Sequence, residues 1–168
     1  GVYNRPYHDT QTELNIVLKC NEKVQTATFS LTLKGYKDLS NGIASAYVYT
    51  NYSQISDEFF KTMDVIYCAF ILFNGDGSLK ANTKVLDNIV KYVMPKARER
   101  GIYVIASLGG GGASPKEAYV SMTGNSEYRA KFITNVINLV NEYGFDGVDI
   151  DWETPTDAQK TTFTTFAK

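Results

Sequence analysis

Histidine and cysteine are scarce in this 168-residue sequence, which contains only His8, Cys20 and Cys68. So few nitrogen and sulfur ligands argue against a zinc-type site, which is built from clusters of these residue types. A Ser–His catalytic pair is also disfavoured, because His8 lies in a polar leader. Two cysteines do not define a disulfide framework, and the apolar run around Cys68 indicates a buried thiol. The sequence therefore predicts no metal and no cofactor.

The sequence also lacks an excess of one charge and any long apolar run. Its 17 lysines and arginines nearly balance 18 aspartates and glutamates, so nothing indicates nucleic acid or an anionic membrane as a partner. No apolar run approaches the roughly 18 residues needed to cross a bilayer. Residues 1–10 are polar and contain no apolar segment of a signal peptide, so a secreted protein would be present here in its processed or expressed form.

The first 42 residues show the period of two that is typical of half-buried strands. Apolar and polar residues alternate over residues 27–33. We therefore predict two strands, Leu14–Cys20 and Gln25–Leu33, joined as a hairpin near Asn21–Lys23. Because a lone hairpin is only marginally stable in water, residues 1–42 are interpreted as a β-rich leader or the end of an accessory β-module.

From residue 43 onward, strand-like apolar runs alternate with helical patterns. Strands are predicted at Ile43–Tyr49, Val65–Phe73, Ile102–Leu108 and Gly147–Glu153. Helices are predicted at Val85–Arg100 with a kink or break at Pro95, from a capping box at Ser114–Glu117, at Ser126–Tyr143 and from Thr156. This alternation indicates βα units and a parallel sheet. Four units fit into residues 43–168, whereas a complete eight-stranded barrel needs about 250 residues, so either a four-stranded α/β domain or half a barrel is possible.

The most informative segment is Asp146–Glu153, with the sequence DGVDIDWE. Because side chains alternate across a strand, Asp149, Asp151 and Glu153 share one face, and Trp152 lies on the other. Carboxylates about 6–7 Å apart in a poorly solvated site cannot all ionise freely, so at least one is expected to hold a proton near neutral pH. This pattern suits acid–base chemistry; a solvated acidic edge and a divalent metal site are the alternatives.

The same segment matches the DxxDxDxE signature of glycoside hydrolase family 18, the chitinase family, which the sequence resembles over about residues 43–168. Ser107–Gly110 matches that family's SxGG motif on the preceding strand. Tyr67–Phe70, followed by a Gly-Asp-Gly-Ser-Leu turn, is similar to the second strand and loop of bacterial chitinases. The resemblance implies an α/β fold of the (β/α)8 TIM-barrel type, of which this chain would supply the first four βα units after the hairpin.

The resemblance also implies catalytic roles. Glu153 would end its strand at the mouth of the barrel and act as the general acid that protonates the glycosidic oxygen. Asp151 would orient the substrate's acetamido group, and Asp149 would share a proton with Asp151 deeper in the barrel. The N-acetyl carbonyl of the substrate would be the nucleophile, which gives net retention of configuration.

Further residues are expected to bind substrate or support the site. Gly109 and Gly110 would let the backbone pass close to neighbouring strands and to the sugar, whereas Ser107 and Asp146 would have structural roles. Thr154 stands where many members of the family have an aromatic residue, which puts one sugar contact in question. The aromatic candidates for stacking on sugar rings are Tyr47, which is the preferred one, Trp152, Tyr49 and Phe70.

The function implied by the resemblance is hydrolysis of β-1,4-linked N-acetylglucosamine in chitin or its oligomers by an extracellular or secreted enzyme. Two alternatives stay open: an endo-β-N-acetylglucosaminidase that acts on N-glycan cores, and a non-catalytic chitinase-like sugar-binding protein. Trp152 before Glu153 favours the chitinase branch, and the presence of Glu153 disfavours the non-catalytic one. Because the sequence stops at Lys168, before the family's later strands, we expect this chain alone to be inactive or nearly so, with open strand edges that favour self-association.

Overall fold

The computed structural model describes residues 9–20, 23–33, 35–80 and 83–168. The strands of this part are β1 Thr10–Cys20, β2 Lys23–Leu33, β3 Ser45–Val48, β4 Val65–Ile71, β5 Tyr103–Gly109 and β6 Gly147–Asp151. The α-helices are α1 Asp57–Thr62, α2 Thr83–Asn88, α3 Met94–Arg100, α4 Ala113–Gly124, α5 Ser126–Tyr143 and α6 Lys160–Phe166. Short 3₁₀ turns lie at Tyr52–Gln54 and Asp157–Gln159. Within these residues, no helix has both the length and the apolar character needed to cross a bilayer.

Strands β1 and β2 form the antiparallel hairpin that the alternation predicts. β1 begins at Thr10 rather than at Leu14, because the hydrogen-bonded ladder continues along the polar residues opposite the end of β2. Ladder formation uses the backbone and does not require apolar side chains. The cross-strand pair Leu14 and Phe29 is 47% and 49% exposed, so this hairpin buries little of its own apolar surface. The predicted closing residues Asn21 and Glu22 lie outside the described residues.

Strands β3, β4, β5 and β6 form one parallel sheet in that order. The α/β class and the parallel sheet are therefore confirmed. Helices cover one face of this sheet, where the side chains of Ile66, Val104 and Leu108 are fully or almost fully buried. The opposite face carries the half-exposed Tyr47 and the carboxylates of β6. The sheet thus has an apolar face that packs against the helices and a polar face that carries the Tyr47 hydroxyl and the carboxylates of β6.

Strand β4 ends at Ile71, two residues earlier than the apolar run predicts. Its pairing with β5 shifts between Cys68 and Ile71, and Phe73 instead forms an isolated antiparallel bridge with Leu79. The continuous apolar run therefore contains a strand and the start of a turn. Both parts are buried, and hydrophobicity alone cannot separate them.

The helix predicted at Val85–Arg100 is interrupted before Pro95, as the proline predicts. A π-helical turn at Ile89–Val93 separates α2 from α3, and the Met94 N–H donates to the carbonyl of Ile89. Proline has no N–H and cannot continue the α-helical ladder, so the hydrogen bonding is rearranged just before it.

Helix α5 matches its predicted bounds. The Asn125 side chain accepts hydrogen bonds from the N–H groups of Glu127 and Tyr128, and Gly144 ends the helix at a φ of 74°. The capping box predicted at Ser114–Glu117 is wrong. Helix α4 already begins at Ala113, so Ser114 lies inside its first turn and its hydroxyl accepts a hydrogen bond from Lys80 instead.

Candidate active site

Strand β6 places the acidic residues next to the SxGG segment of β5. In this parallel pair, Ser107 lies opposite Asp149 and Gly109 lies opposite Asp151. The strand ends at Asp151. The prediction that Glu153 itself ends the strand is therefore wrong by two residues, since the chain leaves the ladder before reaching it.

Asp149 is held by two hydroxyl groups. Its Oδ2 accepts a hydrogen bond of 2.7 Å from the Ser107 hydroxyl and one of 2.9 Å from the Tyr47 hydroxyl. The Tyr47 ring stacks on Tyr67, with 4.8 Å between the ring centroids. Tyr47 lies on the face of the sheet that helices do not cover and is 55% exposed. Burial of the hydroxyl, the hydrogen bond to Asp149 and the nearby negative charges raise the pKa of Tyr47 to about 12. Tyr47 is therefore a neutral donor over the whole physiological pH range.

Asp151 and Glu153 are neighbouring carboxyl groups, and their interaction contributes to the pKa of Asp151. The pKa of Asp151 lies above its ordinary value because of burial, then because of the charges of Glu153 and Asp149, and finally because of the bond to Glu153. Asp151 therefore loses its proton less readily than an isolated aspartic acid does. The expectation that one carboxyl of this face is neutral near pH 7 stays a prediction.

The glycines at the end of β5 and just after it allow the close approach that brings these groups together. Gly109 has a φ of +108°, and a Cβ at this position would lie 2.5 Å from the Asp151 carbonyl oxygen. The Gly110 N–H donates to that same oxygen at 3.0 Å. A Cβ on Gly111 would lie 3.0 Å from Oε2 of Glu153. Any side chain at Gly109 would thus push β6 away from β5.

Trp152 is not on the carboxylate face. Its side chain is 7% exposed and stacks on Tyr119 of α4, with 4.9 Å between the ring centroids. The Tyr119 hydroxyl donates to the Leu108 carbonyl at 2.6 Å. Trp152, expected from the sequence as a possible sugar contact, therefore packs in the core, because the strand alternation directs it toward the helices.

Tyr119 was missed by the sequence analysis, although it packs beneath both Gly109 and Trp152. A Cβ on Gly109 would lie 2.7 Å from its ring. No motif contains Tyr119, and only the docking of α4 brings it below the acidic strand. A pattern of apolar residues within α4 could not have found it, since its position depends on how the helix packs on the sheet.

Asp146 lies at the opposite end of β6 from Glu153. Its side chain is 4% exposed and bonds to Arg98, Tyr36 and the Val104 N–H. Within the described residues, no group of three His, Cys, Asp or Glu side chains is arranged to hold a metal ion.

Comparison with known proteins places this geometry in a family. The model of glycosyl hydrolases family 18 matches residues 44–168. A class V chitinase of Arabidopsis thaliana is 34% identical over 101 residues, which are 58% of this chain and 26% of that protein. Chitinase B of Serratia marcescens is 32% identical over 84 residues, which are 46% of this chain and 17% of that protein.

A solved structure has a similar fold. The class V chitinase of Nicotiana tobaccum superposes with a TM-score of 0.64 and 25% identity over 74% of this chain. The matched part is 36% of that structure, so the chain spans well under half the length of the chitinases to which it is similar. The match to the family model extends over residues 44–168, so it includes both the SxGG segment and the acidic strand. The chain therefore belongs to the glycosyl hydrolases family 18.

Proposed function

We propose that this chain supplies the acid side of a chitinase-type active site and that Glu153 protonates the glycosidic oxygen. The observation that carries the proposal is the acidic face of β6, where Ser107 and Tyr47 bond to Asp149 and the charge of Glu153 helps to raise the pKa of Asp151. In the proposed reaction, Glu153 carries a proton when the glycosidic oxygen of the substrate approaches. General acid catalysis of this kind contributes roughly 10²- to 10⁴-fold to a rate.

The environment of Asp149 supports a substrate-assisted reaction. Two hydroxyl donors already bind Oδ2 of Asp149, which suits a fixed supporting charge better than an attacking nucleophile. In the proposed reaction, the N-acetyl carbonyl of the substrate attacks the anomeric carbon, and Asp151 accepts a hydrogen bond from the acetamido N–H. A nucleophile within the substrate has a high effective concentration, and the anomeric configuration is retained.

The proposed substrate is chitin or its oligomers. The curated relatives that are 34% and 32% identical to this chain are both named as chitinases, which favours this substrate over N-glycan cores. The exposed ring of Tyr47 beside Asp149 is the proposed sugar contact, and Gly109 and Gly110 are proposed to let the backbone approach the sugar. A polymer of this kind is met outside the cell, which supports the expected secreted location.

The four-stranded sheet is proposed to be half of a TIM barrel. Its carboxylate face has no second wall among the described residues, and Tyr47 is therefore open to solvent. We expect the 168-residue chain by itself to show no measurable turnover of N-acetylglucosamine oligomers. Robust turnover by this chain would contradict the half-barrel proposal.

A chimaera tests the role of Glu153. Residues 35–168 would be joined to the C-terminal part of the tobacco class V chitinase barrel, and hydrolysis of the N-acetylglucosamine tetramer would be measured by chromatography. Glu153→Gln should lower kcat by about 100-fold or more because the acid is lost, whereas binding of the tetramer measured by calorimetry should persist. The matched control is Glu142→Gln on the exposed side of α5, which should leave kcat unchanged.

The same chimaera distinguishes the competing chemistries. A fully deacetylated glucosamine tetramer should not be cleaved, because it lacks the N-acetyl nucleophile, and its cleavage would contradict the substrate-assisted step. Comparison with a high-mannose glycopeptide separates the chitinase from the endo-β-N-acetylglucosaminidase. Equal kcat for Glu153→Gln and the unsubstituted chimaera would remove Glu153 from its role, whereas binding of the tetramer without any turnover by the unsubstituted chimaera would favour a sugar-binding protein.

A further inference from the structure

The segment Gly35–Lys37 lies against the ends of the sheet that are opposite Glu153. The Lys37 N–H donates to the Gly101 carbonyl at 2.9 Å, just before β5. Its Nζ donates to the Met63 carbonyl at 2.7 Å and lies 3.2 Å from Oδ1 of Asp64, just before β4. This segment is therefore bonded to the loops that precede two central strands, although it comes before both the matched family region and the predicted domain boundary at residue 43.

Tyr36 connects this segment to the acidic strand. Its ring stacks on Tyr103, the first residue of β5, with 4.3 Å between centroids and an angle of 8°. Its hydroxyl donates to Oδ1 of Asp146 at 2.5 Å. The other carboxylate oxygen, Oδ2, accepts from Val104 N–H and from Arg98 Nη1, both at 2.7 Å. The buried Asp146 is therefore held through both oxygens.

Asp146 immediately precedes β6, which carries the carboxylates of the proposed function. Its own N–H donates to the Val104 carbonyl at 2.8 Å. Because an extended strand rises about 3.3 Å per residue and bends little along its axis, the position of Asp146 determines how far along β5 the side chains of Asp149 and Asp151 lie. In the described sheet, β6 is bonded to β5 and has no second strand neighbour, so this anchored end controls its register.

We propose that Tyr36 is a positioning residue that acts through Asp146 and holds Asp149 and Asp151 at the height where they meet Ser107, Tyr47 and Glu153. This proposal rests on the proposed function only for the chemical roles of these carboxylates. It also assigns residues 35–42 to the same structural unit as the acidic strand, rather than to the hairpin.

The test is the titration of Asp151 in the 168-residue chain, monitored through the ¹³C NMR signal of its carboxyl carbon. Tyr36→Phe keeps the ring that stacks on Tyr103 and removes the hydroxyl. The charged or titratable neighbours of Asp151, namely Glu153, Asp149, Tyr47 and Tyr119, stay in place. As β6 loses its anchor, the carboxyl groups separate, and the titration midpoint of Asp151 should fall toward the ordinary value of an aspartic acid.

The control is Tyr128→Phe on α5, where the tyrosine is 36% exposed, and it should leave the midpoint unchanged. Asp146→Asn should shift the midpoint in the same direction, and Tyr36→Phe should add no further shift in that background, because the effect of Tyr36 passes through the Asp146 carboxylate. A lower Tm with an unchanged Asp151 midpoint, or additive shifts in the double variant, would overturn the proposal. The titration needs no substrate, so failure of the proposed hydrolysis in the chimaera would not affect its outcome.

Discussion

Three carboxyl groups on one face of the chain acquire different environments because their neighbours differ. Asp149 is bonded to two hydroxyl donors, whereas Asp151 lies near the charges of Glu153 and Asp149. The same residue type is thereby surrounded by hydrogen-bond donors at one position and by like charge two residues later, where its pKa is raised. A difference of this kind between neighbouring carboxyl groups is the physical basis for proposing different roles for them.

The raised pKa of Asp151 predicts how stability depends on pH. A carboxyl whose pKa is higher in the folded state binds its proton more tightly there, so its stabilising contribution is complete below the ordinary Asp pKa of about 3.9. That contribution is lost as the pH rises through the raised pKa of the folded chain. Asp151→Asn cannot ionise, so it should raise the Tm at pH 7 by about 2–4 °C and leave the Tm near pH 3 unchanged.

Thermal unfolding followed by circular dichroism at several pH values measures this effect. The matched control is Asp87→Asn at an exposed position of α2, which should show no pH-dependent gain. A Tm for Asp151→Asn that is unchanged or lower at pH 7 would mean that the Asp151 carboxyl is not under electrostatic strain in the folded chain.

The junction between β5 and the loop after it determines how closely β6 can pack. The backbone turns at Gly109 with a φ of +108°, directly beneath the Asp151 carbonyl and above the Tyr119 ring. Gly42 has nearly the same φ, +107°, but an added Cβ there would meet no atom within 4 Å. Substitution of these two glycines therefore distinguishes the effect of backbone strain from the effect of steric overlap with neighbouring atoms.

Gly109→Ala is expected to lower the free energy of unfolding by about 2–4 kcal/mol, because both backbone strain and overlap with β6 contribute. Gly42→Ala should cost only about 1 kcal/mol, since strain alone contributes there. Urea denaturation of the two variants measures the difference. Equal losses would show that Gly109 is required for its backbone conformation and not for the close packing of β6.

The whole chain contains a hairpin that is largely exposed and a sheet with helices on one face. The linker residues Tyr36 and Lys37 bond to the sheet, whereas apolar residues of the hairpin such as Val17 and Val24 are more than half exposed. The hairpin therefore contributes little to the stability of the sheet, and the linker contributes more. The expected self-association through the edges of β3 and β6 stays a prediction, which analytical ultracentrifugation of the chain can check.

Two truncations test this division of the chain. A chain that begins at Gly35 should keep its Tm within about 2 °C, because it retains the bonds of Tyr36 and Lys37. A chain that begins at Ile43 loses these bonds, and its Tm should fall by about 4–8 °C, which corresponds to about 1–2 kcal/mol in a domain of this size. Equal Tm values for the two truncated chains would place residues 35–42 outside the folded unit.

Much of this architecture could be predicted from patterns that are local in the chain. Periodicity predicted the hairpin, the parallel sheet and the full extent of α5, because each of these patterns reports which side of one element is buried. The capping box at Ser114 and the end of β6 at Glu153 were wrong, since element boundaries depend on backbone hydrogen bonds that sequence patterns do not contain.

The sequence by itself determined that Asp149, Asp151 and Glu153 face one way and Trp152 the other, because alternation along a strand needs no knowledge of neighbouring elements. Only the tertiary structure decided which donors meet these carboxylates. The partners Tyr47, Ser107 and Tyr36 lie 102, 42 and 110 residues away from the acids to which they bond. Such contacts depend on strand register and on the packing of a linker, which are set by the whole sheet and not by any local pattern.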